Sequence, residues 1–335
     1  MDADAPLPSP GATSCDASAS PPVPPFDASD ADVILRSSEG VDFHVYKVIL
    51  AMVSPVFKAM FTLPDAPDSS PTSPKPQVVP LTETASTMKH LLHLCYPFPR
   101  TAITTLDELV ATVEAMKKYE MTAPRPSCEQ DLKALLAVGA DPLRIYGIAY
   151  LYRFDTVLYE AAKLTLDNPR YLQPRTMPPE FVHLSAAALF ALMEYRSKCT
   201  EAAAEVIKDD DWMVNGEHAK KMLLWPTGKP ILGKSWAWIA CREAGDPSCT
   251  MTAGGHELSV KTWYGWYTED AAKALLDQPK GKAVTRIPVL SRALEGAGLC
   301  PRCAPTAWRD MLDYSHLLAG RIDQVVSNVK LQLPF

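Results

Sequence analysis

Residues 30–62, DADVILRSSEGVDFHVYKVILAMVSPVFKAMFT, change hydrophobic period partway along, and that change restricts the fold more than any other feature of the chain. Val33, Ile34 and Leu35 make a short apolar run, Ser38, Glu39 and Gly40 supply turn chemistry, and VDFHVY follows as a second strand. Together they predict a β-hairpin. From Lys47 the period becomes helical, with Val48, Ile49, Met52 and Val53 on one face. Ser54 then Pro55 reads as an N-cap and a first-turn proline for a second helix carrying Val56, Phe57, Met60 and Phe61. A hairpin handed directly to paired helices is the grammar of an α+β unit.

The net charge of −6 is concentrated at the start, where residues 1–30 hold five aspartates and no basic residue. The remainder is close to neutral, which gives no basic footprint for nucleic acid or for an anionic membrane. MDADAPLPSP has neither a basic start nor an apolar core, and AAALFALM falls far short of the roughly 20 residues of a spanning helix. Eight cysteines spread over 335 residues, without an Asn-x-Ser/Thr sequon, fit a reducing compartment, so the expectation is an intracellular protein of the cytoplasm or nucleus.

Taken in order, residues 1–25 hold seven prolines and are expected to form a disordered tail. Six prolines between 64 and 80 mark a flexible loop, and VVPL at 78–81 is a strand able to return to the sheet. Met88, Leu91, Leu92 and Cys95 line one face of a helix entered by Thr82 and Glu83, which leaves His90 and His93 on the opposite, solvated face. Thr105 and Glu108 form a capping box for a helix with Leu106, Leu109, Val110, Val113 and Met116 as its buried stripe. QDLKALLAVG stops at Gly139, and Asp141 with Pro142 opens the next helix. A long amphipathic helix is expected from Leu184 to Ile207, with Leu189, Leu192, Met193, Arg196, Cys199 and Val206 in line. The expected organisation is a folded unit at 26–125, a helical extension at 126–211 and a helical, cysteine- and tryptophan-containing subdomain at 212–335.

The ordered set Asp32, Phe43, Lys47, Leu50, Ser54, Phe57, Met60 and Phe61 resembles the opening of BTB (POZ) domains, and LLHLCYPFP and MKKYEM resemble later segments of the same family. Tyr46 stands where the family has a histidine. The resemblance implies a small β-sheet flanked by helices, followed here by a mostly α-helical extension whose residues 141–166 look like the helix pair of fungal BTB proteins. It further implies that Asp32 and Lys47 face each other as a near-buried charge pair at a dimer groove, and that the chain homodimerises through its first helical elements and recruits partner proteins. Val45, Val48, Ile49 and Met52 either supply part of that interface or fill the monomer's own core, since periodicity does not separate the two. Another family role is adapting substrates to a cullin-type ubiquitin ligase through a hydrophobic-x-Glu segment, yet residues 61–80 contain no glutamate.

Three further constellations bear on chemistry. Cys241, Cys249, Cys300 and Cys303 offer C-x7-C and C-x2-C pairs that either close tetrahedrally around a structural zinc or pack as small apolar thiols. Gly228 to Ser235, GKPILGKS, satisfies G-x4-G-K-S, in which Lys234 and Ser235 would address phosphate and magnesium of a bound nucleotide. No strand ending in aspartate follows and no alternation of strands and helices builds a parallel sheet around it, so a chance turn competes with a nucleotide site. Trp236, Trp238, Trp263, Trp266 and Trp308 lack a basic groove and are expected in a core rather than under bases. No catalytic signature occurs, and the chain is not expected to be an enzyme.

Overall fold

The computed structural model describes residues 23–62, 76–122, 125–167, 176–208, 212, 236–241, 248–253 and 256–333. They fall into two units, one ending at Val138 and the other beginning at Gly139. The proline-rich tail before Val23, most of the 64–80 loop and the whole of Gly228 to Ser235 lie outside the described residues.

In the first unit, strands β1 (Val33–Arg36) and β2 (Asp42–Val45) pair antiparallel, with Val33 opposite Val45 and Arg36 opposite Asp42. The turn between them closes on Ser37, whose hydroxyl accepts from the Val41 amide at 3.1 Å, and Gly40 takes φ +80°, a conformation costly for any residue with a Cβ. β3 (Gln77–Pro80) returns parallel to β1, so the sheet order is β2-β1-β3. Pro80 sits at the strand's end, where its missing N–H forfeits little. Inward residues Val33, Leu35, Phe43 and Val45 are buried.

Helices α1 (Lys47–Val53) and α2 (Pro55–Met60) follow β2, and α3 (Ala85–Cys95), α4 (Leu106–Lys118) and α5 (Arg125–Ala137) complete the unit. The hairpin turn is pinned to the start of α3, because Glu39 Oε2 accepts from the Ala85 amide at 2.6 Å and the Ser38 amide donates to the Glu83 carbonyl. The N-cap of α3 is Thr84, which accepts from the Thr87 amide at 3.3 Å. Glu83, expected at that cap, instead takes Lys118 Nζ at 2.6 Å and the Tyr119 hydroxyl at 2.7 Å. Thr105 caps α4 as expected, but the Glu108 carboxylate reaches Thr104 rather than closing the box on Thr105. Phe26 packs edge-on against His93, Tyr96 and Phe98.

α5 belongs to this first unit. Its Cys128, Leu132, Leu135 and Leu136 are buried, and Arg100 forms an ion pair with Asp131. The unit therefore runs past the sequence-derived boundary at 125, and its last helix stops where Gly139 adopts φ +93°.

The second unit opens with α6 (Pro142–Tyr152), capped by the Asp141 carboxylate accepting from the Leu143 amide, and α7 (Asp155–Thr165). A 3-10 turn at Pro179–His183 leads into α8 (Ala186–Lys208). The buried line of α8 is Ala188, Ala191, Leu192, Tyr195, Arg196, Cys199, Ala203 and Val206, rotated from the expected stripe so that Leu189 and Met193 are exposed. Then come α9 (Ala237–Ala240), the hairpin β4 (Ser248–Ala253) with β5 (His256–Lys261), α10 (Thr262–Asp277), α11 (Gly281–Val284), α12 (Ile287–Gly298) and α13 (Ala307–Ser327). The core around α13 is aromatic: Trp238 stacks on Tyr264 with centroids 5.0 Å apart, and the Tyr264 and Tyr314 hydroxyls share a 2.7 Å hydrogen bond. Trp236, Trp238 and Trp263 are buried as expected, whereas Trp308 is exposed and Trp266 lies under the Arg292 guanidinium. Among the described residues no helix is long and apolar enough to cross a membrane.

Candidate functional site

The junction of β2 with α1 concentrates the residues that the sequence singled out. Tyr46 occupies the N-cap of α1 but offers no side-chain cap, so the helix's first amides need acceptors from elsewhere. Asp32 Oδ1 accepts from the Lys47 amide at 2.7 Å, and the Tyr96 hydroxyl accepts from the Tyr46 amide at 2.8 Å. The Tyr46 hydroxyl in turn donates to Asp30 Oδ1 at 2.7 Å. A carboxylate at a helix start also meets the favourable end of the helix dipole.

This arrangement corrects the expectation of a buried Asp32–Lys47 charge pair. Asp32 is exposed and spends its carboxylate on a backbone N–H, while the Lys47 ammonium sits over the Phe61 ring, 5.7 Å from its centroid. Within the hairpin, the carboxylate that is buried with a cationic partner is Asp42. It takes a two-pronged contact from Arg36, with Nε at 2.7 Å and Nη2 at 2.8 Å. The signal was available, because a hairpin turning at Ser38–Gly40 places positions 36 and 42 directly opposite each other.

The four apolar candidates divide cleanly. Val45 is fully buried in the sheet's inner face and serves the monomer core. Along α1 the one buried residue is Leu50; Ile49 and Val53 are half-buried, while Val48 and Met52 are 64 % and 81 % exposed. Val48 and Met52 are four residues apart and therefore neighbours on one face. An apolar helix that buries a single side chain in its own unit carries a surface without a partner in the monomer.

His90 and His93 are not solvated. Both are buried, with Nδ1 of each lacking a hydrogen-bond partner in the structure. Their face of α3 is covered by Phe26 and by the chain around Thr101, whose hydroxyl lies 3.4 Å from His93 Nε2. Burial is the main influence holding both imidazoles below the usual histidine range.

In the second unit the thiols of Cys241, Cys300 and Cys303 converge, their sulfurs all within 4.8 Å of one another. Cys241 is the C-cap of α9, and its Sγ lies 3.6 Å from that of Cys300. Cys300 and Cys303 sit in the turn between α12 and α13, where the Cys303 amide donates to the Cys300 carbonyl at 3.1 Å. Cys249, the fourth expected member, is not part of this cluster. It lies on β4, with its Sγ 3.7 Å from the Lys261 carbonyl and against Gly265. The strand pairing of β4 with β5 fixes it there, which a spacing rule cannot anticipate.

A three-stranded sheet faced by helices, with the apolar Val48 and Met52 exposed on α1, gives the first unit an α+β architecture. Residues 26–136 match the family model of the BTB/POZ domain, a general protein–protein interaction module. The first unit is thus a BTB/POZ domain, about a third of the chain. A search of curated proteins found no match.

Proposed function

We propose that the chain homodimerises through α1 of its BTB/POZ domain and presents the resulting dimer to partner proteins. The observation that carries this is the exposed Val48 and Met52 face on a helix with Leu50 alone buried. An isologous contact would bury the same two side chains on both copies. That is worth roughly 4–9 kcal/mol in gross apolar transfer, and association itself costs about 4–15 kcal/mol. The two terms are of one size, so the contact must extend beyond those residues, and half-buried Ile49 and Val53 are the adjacent apolar surface on the same helix. The narrower role of a cullin-type adaptor draws no support from residues 61–80, which hold no glutamate.

Light scattering of the full chain at about tens of micromolar tests the proposal. The expected mass is twice the 36.7 kDa of one chain, falling to one chain in a Val48→Asp, Met52→Asp double variant. A monomeric wild type would remove the dimer from the reading, and a dimer that survives the double substitution would move its interface away from α1.

A further inference from the structure

We infer that Cys241, Cys300 and Cys303 form a metal-binding site in the second unit, holding one zinc-type ion through three thiolates. The class of ion follows from the donors, because an all-sulfur set selects soft or borderline metals and leaves calcium and magnesium without oxygen ligands.

Two features separate this cluster from thiols that are merely packed. The first is convergence from distant places, since 59 residues part Cys241 from Cys300, yet their sulfurs are 3.6 Å apart. The second is the C-x2-C turn. The Cys303 and Ala304 amides both bond to the Cys300 carbonyl, at 3.1 and 2.9 Å, and this tight loop brings two sulfurs to one side.

Cys303 and Cys300 are buried, and the Cys303 sulfur lies 3.8 Å from the Ala237 carbonyl of α9, while Cys241 is half-exposed. An ion here would tie the four-residue helix α9 to the α12–α13 turn, joining segments that are otherwise remote in sequence.

The test is a cobalt(II) titration of the reduced, full-length chain. Cobalt bound by thiolates gives intense sulfur-to-metal charge transfer in the near ultraviolet and the visible bands of a tetrahedral ion. The expected endpoint is about one cobalt per chain for wild type and for Cys249→Ser, with zinc displacing it. Cys241→Ser and Cys300→Ser should each lose a large part of the charge-transfer intensity. Absence of that absorption in wild type overturns the site, as does its loss in Cys249→Ser. Should Cys300→Ser fail to fold, the half-exposed Cys241→Ser and the wild-type spectrum still decide. Intact mass after purification without reductant covers the remaining possibility. A chain two hydrogens light, its Cys241 and Cys300 thiols oxidised to a disulfide and holding no metal, overturns the proposal.

Discussion

Ser54 closes two gaps in the backbone with one hydroxyl: its Oγ accepts from the Phe57 amide at 3.0 Å and donates to the Tyr119 carbonyl at 2.6 Å, in a buried site where Phe57 stacks on Tyr119. Ser54→Ala leaves a helix-start amide and a buried carbonyl without partners. The expected loss is about 1–3 kcal/mol, read as a lower urea midpoint with faster hydrogen exchange in α2. The cap was legible in the sequence as Ser-Pro before an apolar run. Its second partner was not, since Tyr119 lies 65 residues away. His90 and His93 show the same limit, because helical spacing placed them opposite one apolar face but could not reveal that the other face is covered as well. Their folded-state proton affinity is lowered, mainly by desolvation, so the unfolded chain binds more protons. Stability from this source is complete above about pH 6.5 and is lost as the pH falls below it. A His90→Gln, His93→Gln variant should accordingly show a smaller drop in urea midpoint between about pH 7.5 and about pH 5.5 than wild type does. An unchanged drop would assign the acid sensitivity to other groups.

Elements were legible where a local signal and a tertiary demand agree. The β1–β2 hairpin, the Ser54–Pro55 helix start, the Asp141–Pro142 start and the Gly139 stop all combine a capping or turn residue with a change of period. Register and rotation were less legible. α8 is turned so that small residues Ala188, Ala191 and Ala203 face inward, because close approach of neighbouring helices favours them over the exposed Leu189 and Met193. Gly281 marks another close approach that the sequence does not flag. A Cβ there would fall well inside contact distance of the Ala319 carbonyl on α13, and the Gly281 amide donates to Asp323 Oδ1 at 2.8 Å. Backbone on both sides leaves little to yield, so Gly281→Ala should destabilise the second unit by about 1–3 kcal/mol. All seven tryptophans lie beyond residue 138, and the shift is therefore readable as a lower midpoint in tryptophan fluorescence.

For the whole molecule, the placing of the boundary between units decides what can be studied in isolation. The family resemblance put the end of the first unit at 125; the fold carries it one helix further, and the family match runs to 136. Prolines near a helix start are compatible with its first turn, so Pro126 inside the first turn of α5 is no barrier to continuation. What makes α5 integral is its inner face. Cys128 Sγ lies 3.4 Å from Met116 Sδ of α4, Leu132, Leu135 and Leu136 are buried beside it, and Asp131 holds Arg100. A fragment of residues 23–125 would uncover Met116 and strand Arg100, whereas 23–138 keeps both covered. Calorimetry should show a single cooperative transition for 23–138, with 23–125 melting on the order of 10 °C lower or without cooperativity. Equal melting of the two fragments would mean that α5 rides on the domain rather than completing it.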